Sequence, residues 1–209
     1  MSLPDFLINR YREWKNNIFN LQSSIYKEAS EKTQKPSAMF ISCCDSRILE
    51  NSIFKAEIGD YFVHKNIANL VPRFDHDSSN TGSAIEYAVK SLNVKHIIIL
   101  GHQNCGGIAY GYNLYSSKEE KNKNEYLDKW LKNLEIPFNN LPKNQSSNDQ
   151  IALLEKESIK NSIDNLLTYS FVKERFENNA LKIHGLWFEI KTGNLMELNF
   201  KTKDFELIN

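Results

Sequence analysis

The sequence lacks an excess of charge of either sign. Lysine plus arginine and aspartate plus glutamate each number 26, so the formal net charge is zero. Nucleic acids and anionic membrane surfaces attract proteins through clustered positive charge, and this composition shows no such surplus. We therefore expect neither a nucleic-acid nor a membrane partner.

Cysteine is scarce, and long apolar runs are missing. Three cysteines in 209 residues make no disulfide framework, and in a reducing compartment such thiols are free to act as ligands or nucleophiles. No apolar run approaches the ~20 residues that a membrane-spanning helix needs. The first 20 residues are amphipathic and mixed in charge, unlike a signal or transit peptide. We therefore expect a soluble, cytoplasmic protein.

Apolar strands alternate with amphipathic helices in the middle of the chain. The candidate strands are residues 38–42, 61–63 and 96–100. A helix is expected from Asn80 or Thr81, either of which can cap it, to about Leu92. The continuous apolar character of 96–100 is typical of a central parallel strand covered on both faces. This alternation predicts an α/β fold with a central, mostly parallel sheet flanked by helices.

The two ends of the chain complete the predicted domain. Residues 3–30 are expected to form an N-terminal helical arm whose one apolar face packs on its own domain or on a second subunit. Residues 112–150 predict loops around a helix at about 123–135, and a long helix follows from about 149 to 168. A C-terminal β-hairpin or edge strand is expected over 186–198. We expect a single domain over residues 1–209.

Two motifs rich in metal-binding side chains follow two of the expected strands. Cys43–Arg47, with the sequence CCDSR, follows the first strand, and Gly101–Gly107, with the sequence GHQNCGG, follows the strand at 96–100. In open α/β sheets, ligands bind outside the carboxyl ends of the strands. Neighbouring strands would therefore bring both motifs to one site.

Cys43, His102 and Cys105 are the candidate ligands of a zinc ion. Thiolate and imidazole suit zinc, and three such donors leave one tetrahedral position open to water, as in catalytic zinc sites. Taken singly, Cys43 could be a buried core thiol, and the second motif could be only a tight strand-to-helix turn. Together the two motifs favour the metal. Cys44 points to the other face of an extended chain, and we expect it in the core or behind the ligands.

Asp45 and Arg47 add a second element to the expected site. In an extended segment they share a side with Cys43. An arginine fork can hold the carboxylate in a bidentate pair, which keeps it off the metal and lets it accept a hydrogen bond from the zinc-bound water or hydroxide. The alternative is a surface ion pair, worth ~0 to 1 kcal/mol.

These residues together resemble the β-class carbonic anhydrases. The resemblance rests on Cys43-x-Asp45-Ser-Arg47 with His102-x-x-Cys105-Gly-Gly, and it extends over most of residues 30–200. Further similar segments are Gly59–Pro72, Thr81–Val89 and Glu157–Leu167. The resemblance implies that one zinc ion per subunit is bound by the three ligands, with Asp45 and Arg47 as the catalytic pair beside it.

The resemblance also implies a substrate pocket. Gln34 matches a residue that hydrogen-bonds the substrate, and Phe62, Ile67 and Tyr87 match the apolar wall of the CO₂ pocket. Gly106 matches the small residue beside the last ligand. The implied reaction is the reversible hydration of CO₂ to bicarbonate and a proton by zinc-bound hydroxide.

The resemblance also implies that the chain forms a homo-oligomer. Its members are dimers or higher homo-oligomers, with the active site at the subunit boundary and N-terminal helices that embrace a neighbour. That role would explain the amphipathic start of this chain.

Some positions depart from the family pattern or stay unassigned. Lys65 stands where arginine usually precedes Asn66, and lysine cannot copy a planar fork. Phe40 stands where relatives that close at low pH carry tryptophan, so we expect a permanently open site. His64 and His76 are the candidates for proton transfer to buffer, and nothing in the sequence chooses between them.

Two other functions remain open on these residues. A hydrolase of CS₂ or COS reuses this fold and these ligands. A non-catalytic protein with structural or redox-sensing zinc would instead close the fourth position and expose two thiolates to oxidation. The intact pair of Asp45 and Arg47 argues against the non-catalytic protein.

Overall fold

The centre of the computed structural model, which describes residues 2–75, 79–116 and 124–208, is a six-stranded sheet. The strands are β1 Ala38–Cys43, β2 Tyr61–Asn66, β3 His96–His102, β4 Lys182–Phe188, β5 Leu195–Leu198 and β6 Phe205–Leu207. They lie in the order β2-β1-β3-β4-β5-β6, in which the first four strands are parallel and the last two pair antiparallel. The predicted α/β class is confirmed, and β4 and β5 form the predicted hairpin.

Helices surround this sheet. The α-helices of the described residues are α1 Asp5–Trp14, α2 Ser23–Glu31, α3 Glu50–Ile53, α4 Asn80–Glu86, α5 Gly106–Ser116, α6 Glu125–Trp130, α7 Glu135–Asn139, α8 Ser147–Leu166 and α9 Ser170–Glu177. Wider π-helical turns at Lys15–Phe19 and Tyr87–Ser91 prolong α1 and α4, and 3₁₀ turns lie at Asn20–Gln22, Ile67–Asn69 and Leu131–Leu134.

The strand β3 is apolar throughout because both of its faces are buried. Ile97 and Ile99 belong to the core cluster that α4, α8 and α9 complete, while Ile98 and Leu100 belong to a second cluster with Phe40. Successive side chains of a strand point to opposite faces. A strand between two apolar layers therefore needs an uninterrupted apolar run, which is the pattern that the sequence shows.

Two sequence predictions about helix ends were wrong. Ser79, and neither Asn80 nor Thr81, caps α4, since its hydroxyl oxygen accepts a 2.9 Å hydrogen bond from the amide of Gly82. The expected loop from residue 112 is also wrong, because α5 continues to Ser116. Its buried face packs against the segment after α6 in a separate apolar cluster, and this tertiary contact outweighs the polar composition of the surrounding chain.

The helix expected at about 123–135 is shorter and broken. In the described chain it begins at Glu125, tightens into the 3₁₀ turn after Trp130, and resumes as α7; residue 123 lies outside the described residues. The long helix was expected from 149 to 168 and is found as α8. The short edge strand β6 was not predicted.

The N-terminal arm, defined here as residues 5–31, contributes no buried residue. Six of its large apolar side chains are between 42% and 83% exposed: Phe6, Leu7, Tyr11, Ile18, Leu21 and Ile25. Trp14, Phe19 and Tyr26 pack on one another within the arm, while the six side chains named before them stay exposed in one chain. No helix in the described ranges combines the length and the apolar character needed to cross a membrane.

Candidate metal centre and active site

The carboxyl ends of β1 and β3 bring three metal-binding side chains together. β1 ends at Cys43, β3 ends at His102, and Cys105 follows three residues later. Their ligand atoms all lie within 4.8 Å of one another, and all three residues are buried. Because β1 and β3 are parallel neighbours, two motifs that are distant in sequence reach one point.

The geometry of these side chains fits a tetrahedral metal ion. The two sulfur atoms of Cys43 and Cys105 are 3.8 Å apart, and two thiolates bound tetrahedrally to zinc at about 2.3 Å are separated by about 3.8 Å. Nδ1 of His102 lies 3.0 Å from the carbonyl oxygen of Gln103, to which it can only donate. Nε2 of His102 is buried and has no hydrogen-bond partner among the described residues. An orphaned imidazole nitrogen facing two thiols is the donor set that zinc prefers.

The surroundings of Cys43, His102 and Cys105 shift the pKa values of all three side chains. The contact with Cys105 lowers the pKa of Cys43 despite burial, and the same contact with burial raises the pKa of Cys105. Burial lowers the pKa of His102, but the neighbouring Cys43 sulfur and the backbone carbonyl of Gln103 raise the pKa by more. The first amides of α5, those of Gly107 and Ile108, oppose the rise at Cys105, as a helix N-terminus does for any anion. These shifts favour a thiolate at Cys43, the form in which a cysteine binds a metal cation.

Glu155 supports Cys105 from behind, a role that the sequence did not reveal. This carboxylate is 3% exposed; it accepts hydrogen bonds from the amide of Cys105 at 3.0 Å and from the indole of Trp187 at 3.1 Å. Burial raises its pKa. One signal was available: Glu155 lies four residues before Ile159 and so shares the buried face of α8. An acid on such a face needs partners.

Asp45 and Arg47 form the expected bidentate pair. Nε of Arg47 donates to Oδ1 of Asp45 at 2.8 Å and Nη2 donates to Oδ2 at 2.7 Å, while Nη2 also donates to the carbonyl oxygen of Asn104 at 3.0 Å. These bonds hold the pKa of Asp45 well below its usual range. Oδ2 of Asp45 is 3.9 Å from Nε2 of His102. The carboxylate thus stands beside the three ligands as an ionised acceptor held by an arginine.

The backbone conformation that brings Asp45 and Arg47 together differs from the expected extended one. The chain is not extended here: Ser46 and Arg47 form a turn. The amide of Arg47 donates to Oδ1 of Asp45 at 3.0 Å, and the amide of Ile48 donates to the carbonyl oxygen of Asp45 at 3.0 Å. An aspartate that bonds the backbone two residues ahead is a turn-forming device. Cys44, expected in the core or behind the ligands, is exposed instead.

Two of the expected substrate residues lie at this end of the sheet. Ile67 directly follows β2, whose last residue pairs with Cys43. A methyl group added at Gly107 would come within 2.7 Å of Cγ2 of Ile67, so Ile67 packs against the start of α5. A Cβ at Gly106 would meet nothing within 4 Å, so space is open beside Cys105. Ile67 and Gly106 therefore border the metal-binding group of their own chain.

The other three expected substrate residues lie at the opposite end. Phe62 pairs with Met39 near the start of β1, and Met39 lies four residues before Cys43 on that strand, a distance of about 13 Å. The ring of Tyr87 is 5.8 Å from that of Phe62. Gln34 precedes β1 and lines a cavity of about 780 Å³ together with Tyr87. One chain therefore does not bring these residues to its own metal-binding group.

The remaining positions that the sequence singled out are placed as follows. His64 is 3.0 Å from the hydroxyl of Thr81, and burial lowers its pKa. His76 lies outside the described residues. Phe40 is buried against Phe54 and Tyr61.

Fold and site together define an α/β protein with a buried Cys₂His group that can bind a metal ion, beside an aspartate held by an arginine. Comparison with known proteins gives the family. The family model described as carbonic anhydrase matches residues 38–195, and this chain belongs to that family, in its β class. Beta carbonic anhydrase 3 of Arabidopsis thaliana is 34% identical over 198 residues, which cover 92% of this chain and 76% of the plant protein. A carbonic anhydrase of Helicobacter pylori is 32% identical over 210 residues, covering 98% and 90%.

Solved structures show the same relationship. The β-carbonic anhydrase CcaA superposes with a TM-score of 0.91 at 28% identity, over 98% of this chain and 92% of that one. One of two tetrameric β-carbonic anhydrases of Sordaria macrospora superposes with a TM-score of 0.81 at 29% identity, over 93% and 96%.

Proposed function

We propose that this chain catalyses the reversible hydration of CO₂ to bicarbonate and a proton, with one zinc ion held by Cys43, His102 and Cys105. The observation that carries the proposal is a buried, tetrahedrally spaced Cys₂His group whose two neighbouring carboxylates are both engaged, Asp45 by Arg47 and Glu155 by the amide of Cys105 and the indole of Trp187. A structural zinc site usually closes with four protein ligands, whereas three leave the open position of a catalytic site.

The residues around this centre have separable roles. Zinc, when bound, supplies Lewis acidity that makes water nucleophilic near neutral pH. Asp45 is ionised because Arg47 holds its pKa low, so it can accept a hydrogen bond and orient the reacting oxygen. Ile67 offers an apolar wall and Gly106 leaves room beside it, which suits a small apolar gas better than a charged substrate.

The same proposal includes a homo-oligomer that shares its sites. Relatives of this chain from Sordaria macrospora are tetrameric, and the arm of residues 5–31 exposes an apolar face. In a pair of chains, Gln34, Phe62 and Tyr87 of one chain would line the CO₂ pocket of the other, since they lie far from their own Cys43. Substituting Leu21, the most exposed apolar residue of the arm at 83%, with glutamate should lower the mass measured by light scattering.

Stopped-flow measurement of CO₂ hydration tests the activity. Protein loaded with one zinc per chain should accelerate hydration, chelation should abolish the acceleration, and added zinc should restore it. Equal rates with and without metal would contradict the proposal. Assaying COS and CS₂ on the same preparation separates the sulfur-gas hydrolase from the hydratase.

A further inference from the structure

A single peptide group, the one between Ile67 and Ala68, contacts an indole on one side and a metal-ligand sulfur on the other. Its carbonyl oxygen, on Ile67, accepts a 2.8 Å hydrogen bond from Nε1 of Trp130. Its amide, on Ala68, donates to the sulfur of Cys43 and, after the larger effect of Cys105, helps to lower the pKa of that thiol. Because the C=O and N–H of a planar trans peptide point in opposite directions, the indole fixes the direction of the amide.

The packing around this peptide agrees with these contacts. Ala68 is fully buried and belongs to the same apolar cluster as Cys43 and Cys105, against which Trp130 also packs. A Cβ added at Gly107 would lie 3.4 Å from the amide nitrogen of Ala68. The peptide therefore lies between the end of α6, where Trp130 is the last residue, and the start of α5.

The backbone at this peptide is strained. Ala68 has φ 64° and ψ 22°, close to the third residue of a type II turn, a position that glycine normally takes. Alanine is disfavoured there because its Cβ approaches the following carbonyl oxygen. Rotating the peptide by half a turn would bring φ of Ala68 to about −116°, near the ordinary type I turn. That rotation would point the Ile67 carbonyl oxygen, in place of the amide, at Cys43.

Other contacts close the two ends of the same turn. Nδ2 of Asn66 donates to the carbonyl oxygen of Leu70, and the amide of Leu70 donates to Oδ1 of Asn66, both at 2.9 Å. The carbonyl oxygen of Asn66 accepts a 2.9 Å hydrogen bond from the amide of Cys44. These bonds fix where the turn begins and ends. The peptide after Ile67 lies between them, and Trp130 reaches its oxygen from a separate element.

We propose that Trp130 is a positioning residue whose indole locks the peptide between Ile67 and Ala68, so that the amide stays on the sulfur of Cys43 and Ile67 stays in the wall of the CO₂ pocket. Trp130 touches none of the reacting atoms and acts through a peptide of another element. The part that concerns Ile67 rests on the proposed function, whereas the part that concerns Cys43 assumes only a metal at the Cys₂His group.

Cadmium bound in place of zinc reports this amide directly. In protein labelled with ¹⁵N and loaded with ¹¹³Cd, an amide proton that is hydrogen-bonded to a metal-bound sulfur shows a scalar coupling to the metal in NMR spectra. The unaltered protein should show this coupling at Ala68. Trp130→Phe, which keeps an aromatic ring but has no N–H, should lose it.

The same variant should bind zinc less tightly. Its zinc affinity, measured by competition with a chelator, should fall about tenfold, the lower end of the range for an outer partner of a metal ligand. With zinc in excess, kcat/KM for CO₂ should also fall about tenfold, since Ile67 no longer has a fixed place in the pocket wall.

Two comparison variants separate positioning from packing. Tyr126→Phe removes a hydroxyl from a side chain that is 83% exposed, one turn earlier on α6, and should change neither the coupling nor the zinc affinity. Ala68→Gly removes the strain that favours rotation of the peptide. Adding Trp130→Phe to Ala68→Gly should therefore weaken zinc binding by no more than about threefold, because glycine takes a positive φ freely.

Three results would overturn the proposal. The first is a cadmium-loaded unaltered protein without coupling at Ala68, and the second is Trp130→Phe protein that keeps both coupling and zinc affinity. The third is an equal loss in Tyr126→Phe, or a full loss in the double variant, which would assign the effect to packing.

The test also holds if one variant fails or if the activity is absent. Should Trp130→Phe not fold, Trp130→Leu is held to the same criteria, because leucine keeps an apolar contact with the cluster and lacks the donor. If the unaltered zinc protein does not hydrate CO₂, the proposed function fails, while the coupling at Ala68 and the zinc affinity still decide the role of Trp130.

Discussion

The two ends of the parallel sheet differ in how much of a site a single chain completes. At the carboxyl end, three metal donors are buried and spaced for one ion, and Asp45 and Glu155 are both held by hydrogen bonds. At the amino end, Gln34 and Tyr87 line an open cavity, and Tyr87 is 47% exposed. The carboxyl end is preorganised for catalysis. The amino end is an open surface whose expected substrate residues lie far from the metal-binding group of the same chain.

This difference shows which parts of a catalytic site can be shared between chains. Metal ligands must be placed within a fraction of an ångström, so they are placed on the ends of hydrogen-bonded strands. An apolar pocket wall tolerates looser placement, so a neighbouring chain can supply it. Four substitutions test the contrast, from the largest expected effect to the smallest.

The largest effect is expected from Cys105→Ser. Serine oxygen is a poor replacement for thiolate in a zinc site, so zinc content and CO₂ hydration should fall together to background. Metal analysis and stopped-flow assays measure the two quantities on one preparation. Cys44→Ser is the matched control, because Cys44 is an exposed thiol and should change neither. Full activity in metal-free Cys105→Ser protein would remove the basis for the metal centre.

Asp45→Asn should keep zinc but lose rate. The amide is similar in size but cannot accept at both positions from Arg47, and it carries no charge to orient the reacting water. We expect kcat to fall roughly 10- to 100-fold, the range seen when a partner in the outer shell of a metal is altered. Asp164→Asn, an exposed change on α8, serves as the control. A rate unchanged by Asp45→Asn would show that the pair is only structural.

Glu155→Gln should weaken metal binding while leaving the fold intact. The glutamine amide can accept one of the two hydrogen bonds from Cys105 and Trp187 but not both, and it removes a buried negative charge near the cation. A loss of about tenfold in zinc affinity is expected, measured by competition with a chelator. Glu157→Gln, two residues away, is the control, because it removes the charge of a pair with Lys160. Equal zinc affinities in the two variants would show that Glu155 does not support metal binding.

Gln34→Ala should produce the smallest effect and bears directly on the amino end of the sheet. If this end serves a neighbouring chain, the change should lower kcat/KM by a few fold, as the loss of one neutral hydrogen bond does, with zinc content unaltered. Gln145→Ala, also exposed, is the control. Kinetics identical to the control would mean that the amino end takes no part in the reaction.

Sequence patterns predicted the core of this molecule better than its connections. The strands β1 and β3 and the helix α8 were predicted because apolar runs and periodicities reflect burial directly. The length of α5 was underestimated, because its face is buried by the residues that follow Trp130 and composition does not report that contact. The cap of α4 was misplaced by one or two residues, since Ser79, Asn80 and Thr81 are all competent caps.

The sequence by itself determined which atoms can bind a metal, the class of the sheet and, through the resemblance, the family. These depend on residue type, on short spacing and on period, which are local properties of a chain. Only the tertiary structure decided that Asp45 is paired through a turn, that Glu155 supports Cys105, and that Gln34 lies far from Cys43. Each of those facts depends on where distant segments meet, and the free energy that brings them together is shared over the whole packed core.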